Sequence, residues 1–174
     1  EFESYLNKLK SHLGETKFQL IKYGVIQGGT KLSMNKNIGQ FNRSKISEFI
    51  NICQRFNILS KEHNGDYLTT KQVKEKFDLG LNSINVAPEL GFVESSTILK
   101  VLKDAHDKES YNEFYDECLE SQKWVKWIPK NKTDTILRNR DSLLIKLSGH
   151  YVLSSNAIKN IKRKYPDLDS KIKD

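Results

Sequence analysis

The sequence predicts an α/β fold whose strands pair in parallel, and three observations carry that expectation. Short apolar runs alternate along the chain with amphipathic stretches of helical period. Helices, not two-residue turns, separate the runs, and strands separated in this way pair in parallel. Each run closes in a polar turn containing Gly or Pro, as strand-to-helix loops do when they gather at one end of a sheet.

The elements follow in order. Residues 1–13 predict a helix with Phe2, Tyr5, Leu6, Leu9 and Leu13 on one face. Lys17 to Ile26 predicts the first strand, closed by Gln27-Gly28-Gly29-Thr30, with a loop through Asn42. Ser44 is placed to cap a helix running to about Phe56, with Ile46, Phe49, Ile50 and Cys53 inward. Asn57 to Lys61 predicts the second strand, which ends in Glu62-His63-Asn64-Gly65-Asp66-Tyr67. Thr69 or Thr70 caps the next helix, which carries Val73 and Phe77, and Gly80 stops it. Ser83 to Ala87 predicts the third strand, followed directly by Pro88-Glu89.

Helices are expected over about 94–105 and 111–122. Trp124 to Ile128 alternates like an extended segment, yet its lysines and Pro129 favour a surface element. Leu143 to Leu147 predicts a fourth strand ending in Ser148-Gly149-His150-Tyr151, and a last helix begins near Ser155. The sum is about four βα units in a single α/β domain over 1–174. Four units make half of an eight-stranded barrel or a smaller open sheet. The chain opens without Met and is expected to begin within a longer protein.

Composition narrows the function classes. Of the 174 residues, 37% are hydrophobic and 29% charged, a balance that suits a folded core. No apolar run reaches membrane-spanning length, so a membrane partner is not expected. Cys53 and Cys118 fall on the apolar sides of their helices and are expected as buried thiols, in keeping with a cytoplasmic location. The net charge is +7, and its densest segment is Lys159, Lys162, Arg163 and Lys164. That segment is short and holds no nucleic-acid motif, so a solvated helix face is the better expectation. No GxGxxG, Walker A, CxxC or GxSxG occurs, which argues against dinucleotide, P-loop, zinc-ribbon and serine-hydrolase chemistry.

The chemistry-bearing residues lie at the predicted strand ends. Lys61-Glu62-His63-Asn64-Gly65-Asp66-Tyr67 puts a base, two carboxylates and an amide at one strand mouth. Alternation aims Lys61 and His63 to one side and Glu62 to the other. A His63–Asp66 pair can move a proton of a sugar hydroxyl or supply metal ligands; in the plainer reading Asp66 only caps the next helix. His150, at the fourth strand end, can converge with His63, and two histidines with a carboxylate make a possible divalent site, zinc for example. Glu89 can orient a hydroxyl or simply favour a helix N-terminus. The turn Gly28, Gly29, Thr30 can hold a phosphate through backbone N–H groups, with Lys61 and Asn64 nearby as ligand contacts. His12 and His106 are expected at the surface.

Taken together, these motifs resemble the Z-type subunit of D-tagatose-1,6-bisphosphate aldolase. The match lies in His63, Asp66 and Tyr67, then Ala87-Pro88, with Gly28-Gly29-Thr30 upstream and Gly149-His150-Tyr151 downstream. It runs over about residues 18–160; Lys31 stands where the family has an acid, and the segment around 124–140 has no counterpart. The resemblance implies a (β/α)8 barrel, present here as its C-terminal half, and a phosphorylated sugar as ligand. It implies either an aldolase-type lyase acting on a ketose (bis)phosphate, or a non-catalytic subunit stabilising a zinc-dependent aldolase catalytic partner in an oligomer. A basic α/β binding module is the remaining alternative. A retro-aldol step needs a metal or a lysine Schiff base. No lysine except Lys61 or Lys146 sits convincingly inside a barrel strand, so a metal route, with the metal supplied by a partner, is preferred.

Overall fold

In the segment Tyr-Gly-Val-Ile, every second residue is buried, and this run forms the first strand, β1 (Tyr23–Ile26). The same period recurs in β4 (Leu59–Glu62), where Ser60 and Glu62 are buried. β1 pairs in parallel with β4, Tyr23 opposite Leu59, and β4 pairs in parallel with the short β5 (Ser83–Ile84). Paired residues share a face. Ile26 and Glu62 therefore look inward, while Tyr23, Val25 and Leu59 remain exposed on the other face. A computed structural model supplies these coordinates, and it describes residues 1–173.

The chain divides into two compact units, Glu1–Val86 and Ala87–Asp174. The first holds the sheet. Helix α1 (Phe2–Leu13) and the short α2 (Glu15–Phe18) precede β1. The first strand is thus much shorter than the expected 17–26, because Glu15 to Phe18 closes a helical turn instead. Within the expected loop sits a hairpin of β2 (Leu32–Ser33) and β3 (Lys36–Asn37). Helix α3 (Arg43–Arg55) is capped by Asn42, whose side chain accepts from the Lys45 amide, in place of the expected Ser44. It buries Ile46, Ile50, Ile52 and Cys53 in a core shared with Leu6, Phe18, Ile26, Ile58 and Leu81. Of the two expected caps, Thr69 and Thr70, Thr69 opens helix α4 (Thr70–Asp78), in a reciprocal capping box with Gln72.

Among the described residues, the second unit is helical. Helix α5 (Pro88–Asp104) starts six residues earlier than expected, with Pro88 in its first turn. It packs against α6 (Lys108–Glu120), α8 (Leu143–Ser148) and α10 (Leu168–Lys173). The ambiguous segment at Trp124 is a 3-10 turn, Lys123–Lys126, followed by α7 (Lys130–Arg138). Helix α9 (Asn156–Lys164) is capped by Ser155 at the expected place.

The expected fourth strand, 143–147, is α8. Leu144, Ile145, Leu147 and Ser148 are all buried in it, and the Ser148 hydroxyl donates to the Leu144 carbonyl one turn back. A run buried nearly all round carries no period that separates strand from helix. The backbone resolves it as a helix because α5 and α6 both pack against it. His150 then lies in a 3-10 turn, Gly149–Tyr151, and not at a strand end.

Both cysteines are buried free thiols, as expected. Burial pushes the Cys53 thiol up to about 11 and the Cys118 thiol up to about 12. Both therefore stay protonated near neutral pH.

Asp107 is the N-cap of α6 and its carboxylate is crowded with donors. Lys164 Nζ and Tyr165 OH each lie at 2.7 Å, and Ser110 adds its hydroxyl at 2.7 Å and its amide at 3.1 Å. These partners, Lys164 foremost, hold the carboxyl well below the usual Asp range. A depressed folded-state pKa stabilises the fold above the unfolded value of about 4 and loses that contribution as pH falls toward the folded value. Asp107→Asn is expected to flatten the acid limb of the melting temperature against pH below about pH 4, with little change in its shape from pH 5 to 8. Thermal melts across that range check it.

Candidate functional site

Glu62 occupies the last position of β4 on the inward face, with none of its side chain exposed. A carboxylate in that position must be paired. Lys76, on the inner side of α4 and only 2% exposed, brings Nζ to 2.7 Å from Glu62 Oε2. The same ammonium stands 4.6 Å from the centroid of the Phe41 ring. Glu62 Oε1 accepts from the Gly28 amide at 2.8 Å and from Thr30 Oγ1 at 3.4 Å. One buried ion pair thus ties the end of β4 to the turn after β1.

A second tie lies just outside it. Thr30 Oγ1 donates to the His63 carbonyl at 2.7 Å. Asn37, on the hairpin, donates through Nδ2 to the carbonyls of Asn64 and Asp66 at 2.9 and 3.0 Å. Its Oδ1 accepts from the amides of Lys31 and Gly39, each at 3.2 Å. One amide side chain therefore pins both loops. On the far side, the Gly65 amide donates to the Asn85 carbonyl after β5, and the Asn85 amide donates to the Glu62 carbonyl.

Between these ties the backbone is bent hard. Asn64 and Tyr67 both have positive φ, 60° and 59°. Asn tolerates the left-handed region; Tyr does so at a cost of about 1–3 kcal/mol, which the surrounding bonds must hold in place. Gly29 has φ 104°, and a Cβ there would lie 1.8 Å from the Gln40 carbonyl oxygen.

The sequence-predicted residues divide between the units. Gly28, Gly29, Thr30, His63, Asn64 and Asp66 do converge, at the C-terminal ends of β1 and β4, whereas the Lys61 ammonium turns away from them to the Tyr23 ring at the start of β1. Alternation placed them correctly: His63 is exposed, Lys61 half-buried over the Tyr23 ring at 5.6 Å, and Glu62 enclosed. Asp66 is buried, at 2% exposure. The Gly28 amide is engaged by Glu62 and so is not presented outward to an anion. Glu89 and His150 belong to the second unit. Glu89 sits in the first turn of α5, where the helix dipole favours a carboxylate. His150 abuts Gly91 and lies against Tyr151, with ring centroids 3.9 Å apart and planes tilted by 38°. Because 143–147 is helical, the argument that His63 and His150 converge as two strand ends does not hold.

Among the described residues, no three His, Cys, Asp or Glu side chains are placed to hold a metal ion. The donors expected for zinc, His63 and His150, lie in different units. No helix among the described residues is long and apolar enough to cross a membrane.

Glu62 as a structural charge, Lys76 and Asn37 were not foreseen. The signal for the first two was present: a glutamate on the inward face of a strand, and a lysine three residues after Val73 on the apolar side of the next helix. Two opposite charges on facing apolar surfaces call for each other. Asn37 gave no signal, since nothing in the sequence distinguishes it from any other loop amide.

No protein-family model and no curated protein sequence matches the chain. Among solved structures, it is similar to the crystal structure of a probable tagatose 6 phosphate kinase from Sinorhizobium meliloti 1021. The identity is 14% and the TM-score 0.68, over 97% of this chain and 47% of that one. The chain therefore spans about half the length of the structure it matches, and the likeness is one of fold.

Proposed function

We propose that the chain serves carbohydrate-phosphate metabolism, binding a phosphorylated ketose at the rim formed by Thr30, His63 and Asn64. The observation that carries this reading is the convergence of the 28–30 turn with the 61–67 strand end around the Glu62–Lys76 pair. Polar groups fixed on a rigid strand end suit the recognition of a polyhydroxylated ligand. Two lines support the substrate class. The His63, Asp66, Tyr67 motif resembles a tagatose-bisphosphate aldolase subunit, and the similar fold is that of a probable tagatose 6 phosphate kinase. The sheet would then be part of a (β/α)8 barrel whose remaining units lie outside this chain.

On this reading His63, at the exposed edge, contacts the ligand beside Thr30 and Asn64. The described residues do not assemble a metal site, so no step is assigned to a metal.

A specific feature favours the accessory form of the proposal over the lyase form. The two strongest ionic groups of the rim, Glu62 and Lys76, are engaged with each other. They hold the loops and are not available to a substrate. The chain then binds sugar phosphate, or presents this rim to a catalytic partner, without cleaving the ligand alone.

Calorimetric titration tests the proposal. D-tagatose 1,6-bisphosphate is expected to bind at least about tenfold more tightly than free D-tagatose, a difference of about 1.4 kcal/mol, and His63→Ala is expected to weaken the bisphosphate. Equal affinity for the two sugars would overturn the reading. Release of triose phosphates by the chain alone would instead select the lyase form.

A further inference from the structure

We infer that the helical second unit carries an anion site of its own, a cleft between α5, α6 and α8 that takes a small organic phosphate with an apolar group. The inference concerns residues 96–146 and does not rest on the reading proposed for the strand-end rim.

The cleft has a volume of about 570 Å³, within the usual range for small-molecule sites. Its floor is apolar, formed by Leu99 and Leu102, at 7% and 1% exposure. Its walls are cationic. Lys100 and Lys103 come from α5, Lys108 from the start of α6, and Lys146 from α8. Among the described residues, none of these four lysines forms an ion pair, although Lys162 and Lys164 in the same unit do. His106, in the turn between α5 and α6, lines the same space.

The only acid on the lining is Asp107, and it does not neutralise the lysines. Its carboxylate is held by Lys164, Tyr165 and Ser110. Four like charges gathered around one hollow repel one another at a cost to the fold, and an anion relieves that repulsion. A hollow lined by one sign of charge also concentrates the opposite ion. Ammonium groups bind phosphate as point charges and need no planar partner, which suits a compact dianion.

The apolar floor decides between a free anion and an ester. Inorganic phosphate would leave Leu99 and Leu102 wet. A ligand with an apolar body against these leucines and a phosphate at the lysines matches both parts of the lining. An extended polyanion fits less well, because the positive charge surrounds a hollow and does not run along a face. The one aromatic side chain on the lining, Tyr111, has its hydroxyl donating to the Arg140 carbonyl at 2.7 Å.

Phenyl phosphate is the probe, titrated calorimetrically into the whole chain in about physiological salt, beside phenol and inorganic phosphate. Phenyl phosphate is expected to bind at least about tenfold more tightly than either of its halves. The double variant K103Q/K146Q should lose at least about tenfold in affinity, and K100Q/K108Q should show a similar loss. K130Q/K159Q removes the same charge outside the cleft and should bind within about twofold of the unmodified chain. Thermal melts establish that each variant is folded, and the second cleft pair decides should the first fail to fold. Phenol binding as tightly as phenyl phosphate would overturn the proposal, leaving only an apolar hollow. Equal losses in all three double variants would overturn it in favour of net charge. A single-stranded oligonucleotide binding more tightly than phenyl phosphate, with the same loss in the outside pair, would overturn it in favour of a nucleic-acid surface.

Discussion

Lys76→Met is expected to destabilise the first unit by about 3–5 kcal/mol, because it leaves the Glu62 carboxylate enclosed without its counter-charge. Glu62 is wholly buried and Lys76 nearly so, and their polar atoms meet at 2.7 Å. Water cannot take over the lost partner. Glu62→Gln should cost about as much, since it strands the ammonium, although the amide oxygen can still accept from the Gly28 amide. The double variant E62Q/K76M removes both charges at once. Its loss should fall short of the sum of the single losses by about 2 kcal/mol or more, the signature of direct coupling. Urea denaturation followed by far-UV circular dichroism measures all three. Additive losses would mean that the two side chains do not act on each other.

Gly29→Ala should cost about 3 kcal/mol or more, from positive-φ strain and overpacking together. The new Cβ would meet the Gln40 carbonyl at 1.8 Å. A carbonyl oxygen cannot rotate away as a side-chain tip does, so the 27–30 turn and the segment after the hairpin must part. Gly14→Ala is the matched comparison. Gly14 also has positive φ, at 74°, but nothing lies within 4 Å of its Cβ position. It should therefore show backbone strain alone, at about 1–3 kcal/mol, and less than Gly29→Ala. The same denaturation series ranks the two; equal losses would mean that the contact with Gln40 relaxes freely.

The legible and illegible parts of this fold differ by a physical criterion. Helix α4 could be placed from its cap, because Thr69 followed by Gln72 satisfies two helix-end amides with local groups alone. The inward and outward residues of β4 could be assigned because strand alternation is a property of the backbone. The segment Leu143 to Leu147 could not be resolved, because its residues are apolar on nearly all sides and only its neighbours select helix over strand. That one substitution of helix for strand moved His150 from an expected rim to a turn packed on Tyr151. The 61–67 segment and the 28–30 turn were recognisable as neighbours at one end of the sheet. The pair that joins them was not, since it requires knowing which face of α4 meets which end of β4.

Asn37 has a consequence for motion. One side chain bonds to the carbonyls of Asn64 and Asp66 and to the amides of Lys31 and Gly39. Neither segment can lift from the sheet without releasing its hold on the other. The hairpin and the 63–67 loop should therefore behave as one cooperative opening unit, fluctuating in concert and exchanging their amide hydrogens at a common rate.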